Sequence, residues 1–142
     1  NSKKNFIYKI IKKLKIEKKF EIVDDQINTP TSSNFISFVI DILLDRLIAK
    51  DKCFGVYHGV PRGSISKYDL ANYLKNYLKI KKIKLMNQEL IPIKSSKLNQ
   101  IVERPNYSTL NSHKLEKLLK MSFEDWTYYG NLKIKEIIDG KY

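Results

Sequence analysis

The side chains here that could do chemistry are a set of tyrosine–lysine pairs, two histidines, one cysteine and a run punctuated by glycine. Tyr-x-x-x-Lys places a phenol and an ammonium on one helix face, the arrangement of a proton donor beside a cation. It occurs at Tyr8 with Lys12, Tyr77 with Lys81 and Tyr129 with Lys133. With 9 Tyr and 24 Lys in 142 residues, chance alone gives roughly 1.5 such pairs, so three matches carry little weight as a motif. All three are taken as helix or turn surface. His58 and His113 are the only histidines and lie far apart in sequence, and Cys53 has no cysteine partner. No metal-ligand spacing results. His58, at the end of a strand-like run, reads as a hydrogen-bonded packing residue rather than a ligand or a catalyst. The run "GVYHGVPRGS" holds three glycines, but neither G-x-G-x-x-G spacing nor the Gly-Lys-Ser/Thr that lets a backbone approach phosphate. No catalytic residue, cofactor-binding residue or metal ligand is therefore assigned within the chain.

These groups need elements to hold them. At 142 residues and 42% hydrophobic content the chain can bury one core of ordinary size, so a single domain or a piece of a larger one is expected. The longest apolar run, "FISFVIDILL", is interrupted by Ser37 and Asp41, so no membrane span is expected. The basic N-terminal run "NSKKNFIYKIIKKLKIEKK" lacks an apolar core and does not read as a secretory signal. It also lacks an initiator Met, which leaves open a longer protein. A lone cysteine excludes an intramolecular disulfide and fits a reducing compartment, with the cytoplasm as the expected location. The net charge is +12, but Lys supplies 24 of the 27 basic residues, scattered in pairs over nearly every segment. A basic balance without a motif does not by itself point to nucleic acid.

Phe6, Ile7, Ile10, Ile11 and Leu14 recur at helical spacing, which predicts an amphipathic helix over 5–15. Phe20, Ile22 and Val23 suggest a short strand. The segment from Asn34 to Ile48 is apolar on nearly every side, which predicts a helix buried on more than one face. Cys53 to His58 reads as a strand. Ser66 and Asp69 form a capping-box pattern that starts a helix with Leu70, Ala71, Leu74 and Leu78 inward. A strand is expected around Ile83 to Met86, followed by a long Pro-punctuated loop, "NQELIPIKSSKLNQIVERPNYS", of a length that is often functional. Asn111 or Ser112 should cap a short helix carrying Leu115, Leu118 and Leu119, and Ser122 with Asp125 a last one before Trp126, Ile134, Ile137 and Ile138. The class is mixed α/β with helices dominating.

Taken in order, "NF", "VDDQINTPT", "GVYHGVPRGSISKYDLA" and "ERPNYSTLNSHKL" followed by Trp126 resemble the dTDP-4-dehydrorhamnose reductases, which are extended short-chain dehydrogenase/reductases. The resemblance runs from about Asn5 to about Trp126 and covers only the C-terminal half of such an enzyme. It implies an α/β fold: the helix-rich, C-terminal substrate-binding part of an NAD(P)-binding Rossmann-like protein, over 1–142, without the N-terminal nucleotide-binding half. It further implies that NADPH, its glycine loop and the catalytic Tyr and Lys belong to that other half. The function implied is binding of a dTDP-sugar whose 4-keto group is reduced to give dTDP-L-rhamnose for cell-surface polysaccharide, with this chain inactive alone.

By the same resemblance, the helix Asn34 to Ile48 and the strand Cys53 to His58 would return to the Rossmann sheet. The turn after Val23 would form part of the substrate wall, with Gln26 offering an amide and Pro30-Thr31 fixing the chain. The competing reading is a turn whose Asp24 and Asp25 merely satisfy backbone donors. Asn5 would sit near the diphosphate at a helix start. Arg104, one of three arginines, would take the diphosphate, to which a planar fork is suited; its alternative role is an ion pair pinning the long loop. Substrate-binding candidates are thus Asn5, Gln26, Thr31 and Arg104. Two positions depart from the family: Asn28 replaces a common Gly, which preserves a left-handed turn, and Lys67 stands where Trp is usual. A non-catalytic homologue acting as a binding or regulatory subunit is the alternative of a different class, and a basic nucleic-acid module a third.

Overall fold

The computed structural model describes residues 5–98 and 102–140. The chain divides into two compact units, one formed by 1–27, 65–108 and 140–142, the other by 28–64 and 109–139.

In the first unit, α1 (Phe6–Ile16) buries Ile10, Ile11 and Leu14, the stripe expected from the apolar spacing, while Phe6 stays 43% exposed. The chain turns directly into β1 (Lys19–Val23), which pairs in parallel with β4 (Glu89–Ile93), Phe20 opposite Leu90 and Val23 opposite Ile93. Parallel neighbours need a long crossover, and α3 (Lys67–Ile80) lies within it, packed against α1, β1 and β4. Ser66 caps α3: its Oγ accepts from Asp69 N–H at 2.9 Å and lies 2.7 Å from Asp69 Oδ2. Leu74 and Leu78 are fully buried beneath it. Short strands β3 (Ile65–Ser66), β2 (Ile27–Asn28) and β5 (Tyr107–Ser108) form a second small sheet in the order β3-β2-β5.

Two expectations fail in this unit. No strand forms at Ile83 to Met86, because the following backbone is taken by the end of α1: Leu14 C=O accepts from Met86 and Asn87 N–H at 3.1 and 3.0 Å. Asn87 is buried and holds the spot, its amide donating to Glu17 and Glu89 carbonyls while its Oδ1 accepts from Lys75 Nζ at 2.9 Å. The long loop after it is also not all loop. Its "ELIPI" is β4, and Ser95–Lys97 forms a 3-10 turn.

In the second unit, α2 (Ser33–Ile48), α4 (His113–Leu119) and α5 (Trp126–Ile138) surround a core of Phe35, Val39, Leu115, Leu119 and Phe123. Phe35 meets Phe123 and Tyr129 edge-on at 5.0 and 4.7 Å, the favoured aromatic geometry. Ser32 Oγ caps α2 through Phe35 N–H at 3.1 Å. The cap of α5 is Asp125, which accepts from Thr127 N–H at 2.9 Å, rather than Ser122. Asn111 Oδ1 receives His113 N–H at 3.0 Å at the start of α4.

Two expectations fail here as well. α2 buries only Phe35 and Val39; Ile36, Ile40, Leu44, Leu47 and Ile48 are exposed. Cys53 to His58 is not a strand. Among the described residues no backbone ladder runs beside it; Cys53 is buried and Tyr57 packs on the core, but Phe54 and Val56 are 87% and 81% exposed, so the other face lacks the cover that holds a strand.

Candidate functional site

The parallel pair β1-β4 sends both chains out of the sheet at the same end. Asp24 N–H still bonds to Ile93 C=O at 3.1 Å, and beyond that rung the strands part into Asp25-Gln26 on one side and Lys94-Ser95-Ser96 on the other. The crevice outside the carboxyl ends of parallel strands is the usual ligand position in α/β proteins. Here it is a cleft of about 430 Å³, lined as well by Glu103, Arg104 and Asn106. Asn106 C=O accepts Ile27 N–H at 2.7 Å, which ties that wall back to β2.

Two of the four charged residues on the walls, Lys94 and Asp25, are held by protein partners. Lys94 Nζ bonds to both oxygens of Asp24 at 3.0 and 3.2 Å. Asp25 accepts from Ser95 N–H at 3.0 and 3.1 Å and from Ser95 Oγ at 3.2 Å, so it satisfies the free donor at the start of the 3-10 turn. Gln26 is 4% exposed, and its Oε1 accepts from Lys67 Nζ at the start of α3. Burial above all, and then the charge of Arg104, hold the Lys67 ammonium below the ordinary lysine value, with Asp25 pulling the other way. Arg104 is exposed on the wall and forms no ion pair among the described residues. The cleft is thus lined by the Arg104 guanidinium, the Lys94 ammonium already paired with Asp24, the Asp25 and Glu103 carboxylates, and amide and hydroxyl groups. Arg104 is the cation on the wall whose planar fork is suited to a pair of anionic oxygens.

Of the four sequence candidates, Gln26 and Arg104 share this cleft. Asn5 belongs to the same unit but does not line the cleft; it is the N-cap of α1, its Oδ1 accepting from Ile7 and Tyr8 N–H at 2.9 and 3.4 Å. Thr31 lies in the second unit, exposed, its hydroxyl donating to Thr29 C=O at 3.1 Å. Lys67, Lys94 and Ser95 were not among the candidates. The lysine at the first position of a capped helix was the one available signal for Lys67; Lys94 and Ser95 needed β4 to be recognised first.

The glycine run "GVYHGVPRGS" has a different use. Gly63 has φ +84°, and a Cβ there would overlap Asp125 Oδ2 and come within 2.9 Å of Trp126 Cδ1. The missing side chain makes room for a carboxylate, so this run does not cradle the phosphates of a dinucleotide. Among the described residues, no group of three His, Cys, Asp or Glu is placed to hold a metal. No helix is long and apolar enough to cross a membrane among the same residues.

The family model for the RmlD substrate binding domain matches residues 1–139. The chain belongs to this family. Solved structures agree with that placement of the RmlD domain. A dTDP-4-dehydrorhamnose reductase orthologue from Clostridium acetobutylicum is 26% identical with a TM-score of 0.70, covering 95% of this chain and 43% of its own. The dTDP-4-dehydrorhamnose reductase of Bacillus anthracis, solved in complex with NADP, is 22% identical with a TM-score of 0.64, covering 86% of this chain and 40% of its own. That of Yersinia enterocolitica is 20% identical with a TM-score of 0.64, covering 85% and 39%. This RmlD domain chain therefore spans about 40% of the length of these relatives. No match was found among curated proteins. The fold is the helix-rich α/β part of an extended short-chain dehydrogenase/reductase, matched to its relatives only in part.

Proposed function

We propose that this chain is the sugar-nucleotide-binding part of an NADPH-dependent dTDP-4-dehydrorhamnose reductase, an oxidoreductase that yields dTDP-L-rhamnose for cell-surface polysaccharide. The observation that carries it is the placement of Gln26 and Arg104 on one cleft beyond the carboxyl ends of β1 and β4. Arg104 binds the diphosphate, the Gln26 amide donates to the ligand, and Asp25 with Ser95 holds the wall that carries Gln26. Asn5 and Thr31 stay candidates of lower rank, Asn5 through the Nδ2 its capping role leaves over and Thr31 through the turn it stabilises.

When bound, NADPH supplies the hydride for the 4-keto group. It is held by the part of the relatives' length that this chain does not span, together with the proton donor, and the chain by itself turns over no substrate. The same part is the partner for α2. Ile36, Ile40, Leu44 and Leu47 recur at helical spacing along one exposed face, and Phe54 and Val56 follow in an extended segment. Exposed apolar surface of this kind marks an interaction face, here the face that α2 would turn to the Rossmann sheet.

The test is Arg104→Ala in the natural protein that contains this chain, with binding of dTDP-sugar and of NADPH measured separately by calorimetry. We expect sugar-nucleotide affinity to fall by about tenfold or more, as for a charged hydrogen-bond partner, with NADPH affinity unchanged. Equal loss of both would give Arg104 a structural role and remove the reading of the cleft.

A further inference from the structure

The lysines are spread along the chain, but the acids are not. Residues 5–16 and 70–88 hold nine lysines and neither Asp nor Glu, where the chain's mean acid content would place about three. Folding sets these two stretches side by side, because α1 packs against α3 within the first unit. Residues 83–88 then strap the ends of both helices: Ile83 N–H donates to Leu78 C=O at 3.0 Å, Met86 N–H to Leu14 C=O at 3.1 Å and Gln88 N–H to Lys18 C=O at 2.8 Å. Between them lies an open cleft of about 550 Å³, lined by Lys15, Lys18 and Lys84 with the apolar Ile83, Leu85 and Met86, and by no carboxylate. Glu17 and Glu89, the acids that flank it in sequence, are paired with Lys13 and Lys19. None of the three lining lysines has a carboxylate within ion-pair distance among the described residues.

Of the nine lysines, Lys75 alone is buried, on Asn87 and the Gln88 carbonyl; the others face solvent. Cations in a last helical turn offset the helix dipole. That accounts for Lys15 and Lys79, but not for Lys82 and Lys84 past the end of α3, nor for the exposed Ile16, Ile80 and Met86 among them, Ile80 being 78% exposed. Nucleic acid is gripped by arginine forks and by aromatic rings stacked on bases; the two stretches hold no Arg, and the apolar side chains exposed at this end are not aromatic. An acidic lipid surface, by contrast, takes a lysine cluster at its headgroups and apolar tips just beneath them.

We propose that this end of the first unit docks on anionic membrane lipids, through Lys15, Lys18, Lys84 and the run Lys79 to Lys82, with Ile80 entering the headgroup layer. The apolar stripe of α1 is spent on the core, so the attachment is peripheral and reversible, not an embedded helix. The cleft of Gln26 and Arg104 shares no lining residue with it, so the inference stands apart from the sugar-nucleotide reading. The natural protein that contains this chain is sedimented with vesicles of phosphatidylcholine alone and of phosphatidylcholine and phosphatidylglycerol in equal parts, at low and high salt, with thermal unfolding as the check on folding. We expect binding to the acidic vesicles only, falling with salt. Replacing Lys15, Lys18 and Lys84 together by Gln should weaken it by roughly a hundredfold, at about fivefold per lysine near the surface. Lys79→Gln with Lys82→Gln, both at exposed positions, should weaken it by about twentyfold and gives the same reading should the triple variant fail to fold. Ile80→Gln should weaken vesicle binding as well. Absence of binding to acidic vesicles, equal binding to neutral ones, or undiminished binding by the lysine variants overturns the proposal. Tighter binding to a DNA duplex than to acidic vesicles, insensitive to Ile80→Gln, overturns it in favour of a nucleic acid.

Discussion

Replacing Glu116 should expose how the second unit is fastened. The carboxylate is buried, and its Oε1 accepts both the Phe123 N–H at 2.7 Å and Arg62 Nε at 3.0 Å. Burial pushes its pKa up, but the Phe123 N–H, the Arg62 bond and charge, and then His113 outweigh burial and hold it below the ordinary carboxylate value. Glu116→Ala strands a buried N–H, which costs about 1–3 kcal/mol. The lost Arg62 pair adds about 1 kcal/mol or less, because the Arg62 side chain is 54% exposed and screened. Glu116→Gln keeps an acceptor for Phe123 and loses the charge, a cost of about 1 kcal/mol. The pH dependence separates the two contributions. A carboxyl whose folded pKa is depressed stabilises above its unfolded value of about 4.3, and that contribution is lost as pH falls through the lower folded value. The Glu116-minus-Gln difference, read from urea unfolding at a series of pH values, should therefore be full at pH 7 and shrink on acidification. A difference that is constant across that range, or a cost for Glu116→Ala below about 0.5 kcal/mol, would refute the assigned bonding.

Gly63→Ala should destabilise the protein by about 2–4 kcal/mol, from a strained positive φ together with displacement of the carboxylate that caps α5; thermal unfolding checks this, and a variant of wild-type stability would mean that the Asp125 contact is not tight. Asn5→Ala should cost about 1 kcal/mol through loss of the α1 cap while Asn5→Asp costs little. If Asn5→Ala instead weakened dTDP binding with stability unchanged, Asn5 would be a ligand contact.

What could be read in the sequence was what is specified locally. The α1 stripe of Ile10, Ile11 and Leu14 and the Ser66–Asp69 cap of α3 each depend on residues a turn apart. β4 was hidden because "ELIPI" is too short and too interrupted to declare itself, and becomes a strand through pairing with residues 70 positions earlier. The same distance concealed half the site. Asp25 reads as a turn residue satisfying a backbone donor, and it does so, but the donor is Ser95 N–H across the cleft rather than a neighbour in its own turn. Gln26 and Arg104, chosen by residue type, fall on one cleft; the contact of Lys67 with Gln26 could not be read, because its ammonium reaches an amide 41 positions earlier.

The behaviour of α2 shows where burial inferred from a pattern needs a physical qualification. Apolar residues all round a helix require two covering surfaces. The second unit supplies one, against Phe35 and Val39, and leaves Ile36, Ile40, Leu44 and Leu47 facing outward. Position i, i+4, i+8 and i+11 spacing keeps those four on one face, so they are a coherent surface and not a scatter of tolerated exposures. Cys53 to His58 is likewise apolar in part, yet has no ladder beside it among the described residues and leaves Phe54 and Val56 exposed. In both elements the apolar pattern foretold more burial than the two units by themselves provide.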